Sequence, residues 1–149
     1  MQPFLVFENM ERMPRRKLFT LFGVDWYALP TAWIEPVLFI ILSILLAMIL
    51  FPDESFGAKI LIGIIYGLLL VVVNWLHSIG HILSGKWVGA PMQANLLAAL
   101  RHVNLYDDPD PEALPSRVHV WRSLGGPLAN IGAGLLSLLL YTVIGGHIL

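Results

Sequence analysis

Three apolar runs set the pattern of the chain. Residues 32–51, 57–87 and 120–144 are dominated by Leu, Ile, Val, Ala and Gly. A helix of about 20 apolar residues crosses ~30 Å of hydrocarbon, so this pattern predicts three transmembrane helices. The expected fold is an all-α integral membrane protein. An N-terminal interfacial or cytoplasmic segment would occupy residues 1–31, and a three-span domain residues 32–149, with a cytoplasmic loop, 88–119, between helices two and three.

The segments around these runs are less decisive. Residues 1–30 mix Phe4, Leu5 and Phe7 with the basic cluster Arg12, Arg15, Arg16 and Lys17, then Leu18-Phe19-Thr20-Leu21-Phe22. Such a segment either lies on the membrane with its basic groups toward anionic head groups or is a cytoplasmic tail that orients the protein. Gly23, Asp25 and Pro30 interrupt any long helix there. Glu35 and Pro36 fall in the first turn of the first run. Proline is tolerated there and a carboxylate suits the positive helix end, so Glu35 reads as structural. The run from Asp107 to Glu112 reads as a solvated loop. Residues 95–105 fit either a short strand pair or an interfacial helix.

The second run carries a polar stripe. Asn74, His77, His81 and Ser84 are spaced by three and four, so a helix stacks them on one face. At membrane depth such a face turns to a partner helix or a cavity, and it is the candidate site. Gly63, Gly67, Gly80 and Gly85 allow close helix approach. In the third run, Gly126, Asn130 and Gly134 recur every four residues, as do Gly125, Ala129 and Ala133. Pro127 frees the carbonyl four residues earlier, and Asn130 is placed to bond open backbone or the histidines.

Composition agrees with a membrane protein: 57% hydrophobic, 13% charged and a mean hydropathy of +0.75. Soluble domains carry about 25% charged residues. The net charge of -1 argues against nucleic acid, and the absence of cysteine rules out disulfides. Lys86, Arg101, Arg117 and Arg122 lie between runs two and three, whereas Lys59 alone is in the opposite loop. The positive-inside rule then puts the N-terminus and residues 88–117 in the cytoplasm and the C-terminus outside. A multi-pass protein of a prokaryotic inner membrane is expected. Trp26, Tyr27, Trp33, Trp87 and Trp121 fall at the same interface.

The sequence His77-Ser78-Ile79-Gly80-His81, followed about 45 residues later by Gly126-Pro127-Leu128-Ala129-Asn130, resembles the site-2 protease (M50) family of intramembrane zinc metallopeptidases. The resemblance covers about residues 60–140. It implies that His77 and His81 are metal ligands and that Gly126, Pro127 and Asn130 belong to the later helix of the family pattern. Two departures matter. The family's general base is a glutamate where this chain has Ser78, and a neutral hydroxyl does not take a proton from water near pH 7. The family's third ligand is an aspartate in a Leu-Asp-Gly type motif, and this chain has no Asp-Gly. A catalytic zinc takes three protein ligands and keeps one open position.

The resemblance therefore implies a degenerate relative with no catalytic residue. It would act as an accessory or structural subunit, with the lipid bilayer and other membrane subunits as partners. Its cofactor would be none, or zinc on His77 and His81, a third ligand coming from His102, His119 or a partner chain. Asn74, Gly126, Pro127 and Asn130 would be structural. Two alternatives stay open: a zinc-dependent intramembrane protease in an engineered or shortened form, and a subunit whose histidine ligates a pigment or haem. His119 and His147 read as interfacial.

Overall fold

The computed structural model describes residues 14–106 and 114–145. Phe4, Leu5, Phe7, Arg12, the acidic run 107–112 and His147 lie outside the described residues. Strands β1 (Arg16–Leu21) and β2 (Val24–Ala28) come first, then helices α1 (Ile34–Leu50) and α2 (Phe56–Trp87). Strands β3 (Met92–Ala98) and β4 (Arg101–Tyr106) follow, then α3 (Ser116–Leu140), which runs on into a π-helical turn, Tyr141–Gly145.

The all-α expectation is corrected by a four-stranded mixed sheet of order β1-β2-β3-β4. β1/β2 and β3/β4 are antiparallel hairpins, and β2/β3 pair parallel. Parallel neighbours need a crossover, here supplied by α1 and α2 together. Residues 16–28 thus form one hairpin of the sheet, and residues 92–106 contribute the other. Residues 95–105 take the strand-pair alternative. Both hairpins hid from hydropathy for physical reasons. The β1–β2 turn puts Phe22 and Gly23 at φ 51° and 73°, where Asn-Gly is the recognisable pair. β3 is buried at six of its seven positions, so no alternation remains to be read.

The three-span expectation is corrected as well. Two helices are long and apolar enough to cross a membrane, Phe56–Trp87 and the continuous stretch Ser116–Val143, and α1, with 17 residues, is shorter. α1 lies along the first half of α2 after a turn at Pro52–Ser55. Ser55 caps α2 by accepting from Ala58 N at 3.2 Å, and Lys59 Nζ donates to the Pro52 carbonyl at 2.8 Å.

The sheet lies against the second half of α2. One sheet face carries Val24, Trp26, Met92 and Leu97, which pack with Ile82 and, less buried, Phe19, Leu21, Ile79 and Tyr106. Trp26 stacks on Phe19 at 5.3 Å and tilts against Trp75 at 5.7 Å. Each such buried side chain contributes about 1.5–3 kcal/mol. The other face is polar at its β1–β2 edge, where Lys17 pairs with Asp25 at 2.7 Å.

α1 and α2 touch through glycine. A Cβ on Gly67 would stand 2.6 Å from the Ile40 Cα, and one on Gly63 would overlap Ile44, whereas a Cβ on Gly132 or Gly134 would meet nothing within 4 Å. Gly67→Ala is expected to cost about 1–3 kcal/mol by overpacking. Gly132→Ala, in an open stretch of helix, is expected to be neutral or to stabilise by up to about 1 kcal/mol. Thermal unfolding of both variants in one detergent checks the contrast.

Candidate functional site

The polar stripe of α2 meets a different element at each side chain. His77 and His81 face α3. Their Nε2 atoms stand 3.0 Å apart with the rings nearly perpendicular, at 79°. His81 Nδ1 lies 2.5 Å from the Arg122 carbonyl oxygen, and His77 Nδ1 lies 3.3 Å from Asn130 Nδ2.

These partners fix the tautomers. A carbonyl only accepts, so His81 carries its proton on Nδ1 and offers a lone pair at Nε2. His77 then donates from Nε2 to His81 and accepts at Nδ1 from the Asn130 amide. The result is a continuous chain, Asn130 to His77 to His81 to the Arg122 carbonyl, that ties α2 to α3. The Arg122 side chain continues the tie, since its Nε donates to the Ala90 carbonyl at 3.0 Å and its guanidinium lies over the Tyr106 ring.

Glycine makes this approach possible. A Cβ on Gly126 would sit 2.5 Å from His81 Nε2 and overlap His77 Nε2 as well. A Cβ on Gly80 would run into the Gly125 carbonyl and the Ala129 side chain. Pro127 lies inside α3 beside this contact. Ser84 leaves the stripe: its hydroxyl donates to the His81 carbonyl at 3.1 Å.

Ser78 turns to the sheet instead. Its Oγ is 2.5 Å from Nδ1 of His102 on β4, and Ser78 itself is 1% exposed. His102 Nε2 stands 3.5 Å from Glu35 Oε1 on α1, and the same oxygen accepts from Asn74 Nδ2 at 2.8 Å. Glu35 is 3% exposed. Ser78 thus donates to His102, which directs its other N–H at the carboxylate. Burial holds the His102 pKa below the ordinary histidine value, against the opposing pull of Glu35.

The structure therefore divides the predicted residues between two clusters. His77, His81, Gly126 and Asn130 meet at the α2–α3 contact. Asn74 and Ser78 meet Glu35 and His102 where α1 and the sheet close on α2. His102 reaches Ser78 rather than the imidazole pair, and His119 lies at an exposed position in the first turns of α3. Sequence reasoning gave Glu35 a structural role at a helix end and missed its partners on other elements. Asn74, a polar residue needing a partner from another element, was the available signal. Comparison with protein-family models, curated proteins and solved structures finds no match for this chain.

Two outcomes are expected. Gly126→Ala drives a methyl into both Nε2 atoms and should cost about 1–3 kcal/mol, read as a lower unfolding temperature. The second concerns pH. Because folded His102 has the lowered pKa, the unfolded chain protonates first as pH falls through 6.5. Stability should drop on acidification through that value, then level off once folded His102 is also protonated. Replacing His102 with Gln should flatten that part of the profile of unfolding temperature against pH.

Proposed function

We propose that this chain is a catalytically inactive membrane protein of site-2 protease type, serving as an accessory subunit of a larger membrane assembly. The observation that supports it most is the chain from Asn130 through His77 and His81 to the Arg122 carbonyl. Those groups bond one another in turn, so the imidazoles join two helices with no metal required. Ser78, in the place where the metallopeptidase pattern has its base, is engaged by His102 on the far side of the stripe. A hydroxyl so placed supplies no general base for water.

The donor set points the same way. A metal at this contact would be held by Nε2 of His77 and His81, with the Arg122 carbonyl orienting His81 from behind. Gly126 leaves both nitrogens clear of side chain. Among the described residues no group of three His, Cys, Asp or Glu gathers around one point. Two imidazoles alone fall short of the three protein ligands of a catalytic zinc.

Two helices long and apolar enough to cross a membrane, α2 and α3, support the reading of a protein set in a bilayer. Lys86, Arg117 and Arg122 mark the end of α2 and the start of α3, so the positive-inside rule puts that end in the cytoplasm. Trp87 and Trp121, whose rings meet at 4.9 Å, anchor it at the interface. Large apolar side chains stay exposed along α1, the first half of α2 and the second half of α3, surface for lipid and for neighbouring subunits.

The test is protein extracted in mild detergent and assayed for zinc, visible absorption and cleavage of a transmembrane peptide. The expected result is no chelator-sensitive cleavage and no difference between the natural protein and His77→Ala. Stoichiometric zinc with cleavage that His77→Ala abolishes would restore the hydrolase. A haem or pigment band would assign the site to that cofactor. A lone, monodisperse protein extracted from native membranes would count against the accessory role.

A further inference from the structure

The sheet face turned to α2 carries a row of polar groups that neither cluster uses. Trp26 is the Cα partner of Asn95, and Asn95 of Asn104, so the three side chains share one face across β2, β3 and β4. His102 stands on that face too, two residues before Asn104. That this face meets α2 follows from its contacts: Trp26 against Trp75, His102 against Ser78 and Tyr106 against Gly85.

Trp26 and Asn95 are 0% exposed. Trp26 Nε1, both amide atoms of Asn95, Asn104 Oδ1 and Glu35 Oε2 are all shut off from the surface, and no protein group bonds any of them. Leaving such an atom unbonded forfeits the hydrogen bonds that water gave it in the unfolded chain. Five together would take a large share of the narrow margin that holds a domain folded. The two asparagines are neighbours able to pair directly, yet they do not.

We propose that the space between this sheet face and α2 is a buried hydration site. A short file of water molecules accepts from Trp26 Nε1–H and the Asn95 amide. It donates to Asn95 Oδ1, Asn104 Oδ1 and Glu35 Oε2. A buried water requires two or more polar partners, and the shared face of Trp26, Asn95 and Asn104 supplies neighbouring ones. The donor and acceptor set also fits water: two donors and three acceptors, one of them a carboxylate oxygen, need a ligand that both gives and takes hydrogen. At its Glu35 end the file reaches the carboxylate that faces His102, which gives the Ser78–His102–Glu35 chain a proton-exchanging neighbour. This inference stands apart from the functional reading above and holds whether or not the histidines bind metal.

The test uses the full chain, labelled with nitrogen-15, in detergent micelles. Trp26→Phe assigns the Trp26 indole signal among the chain's five tryptophans. Water-selective cross-relaxation is then measured at Trp26 Nε1–H and Asn95 Nδ2–H. Direct cross-peaks to water, with the sign of a long-lived bound molecule, are expected at both. The double variant Asn95→Leu, Asn104→Leu should lose the Trp26 water cross-peak while keeping the sheet's backbone resonances. Cross-peaks between the two asparagine amides with none to water would overturn the proposal. So would a double variant whose Trp26 signal is unchanged. Should that variant not fold, the natural protein's Trp26 signal decides alone.

Discussion

A polar atom set among apolar helices needs a hydrogen-bond partner, and that constraint arranges this molecule around α2. Water is not at hand along most of that helix, and an unmet hydrogen bond there is costly. Asn74, Ser78 and the histidine pair of α2 accordingly each fasten a separate element. Asn74 takes hold of α1 through Glu35, Ser78 of the sheet through His102, and the two histidines of α3 through Asn130 and the Arg122 carbonyl. Glu35 and His102 also face each other, so α1 and the sheet are joined to one another as well as to α2.

Small residues decide how near those elements come. Gly63 and Gly67 admit the α1 backbone, whereas Gly80, Gly125 and Gly126 admit α3 and leave the imidazole edges uncovered. The hydrogen bonds depend on that nearness, since a side chain in place of either Gly80 or Gly126 would part the helices or turn the rings. Past Asn130 a side chain on Gly132 or Gly134 would meet nothing, so α3 keeps its close contact with α2 only as far as the histidine stripe.

The site was more legible than the fold. Histidines four apart and an asparagine on a later glycine-rich helix are local patterns, and a helix brings them to one contact. The sheet depended on relationships that no window of sequence contains. β1 breaks its alternation with a bulge between Lys17 and Phe19, β2 finds its parallel partner 69 residues later, and β3 is covered on both faces. The turns gave little warning, because Phe22 and Leu100 occupy positive φ in place of residues that favour it. Glu35 was read through a nearby explanation, the helix end, and its partner on another element 39 residues away stayed hidden.

The parallel pairing of β2 with β3 also governs the order of assembly. Asp25 waits for Ala94, so the first ribbon leaves the ribosome long before its central neighbour exists. At about 5–20 residues per second that interval lasts roughly 3–14 s. Throughout it the inner edge of β2 is an open row of backbone donors and acceptors, the kind that recruits stray strands. The basic residues clustered at the start of β1 are the sort of gatekeeper that keeps such an edge from sticking to another nascent chain.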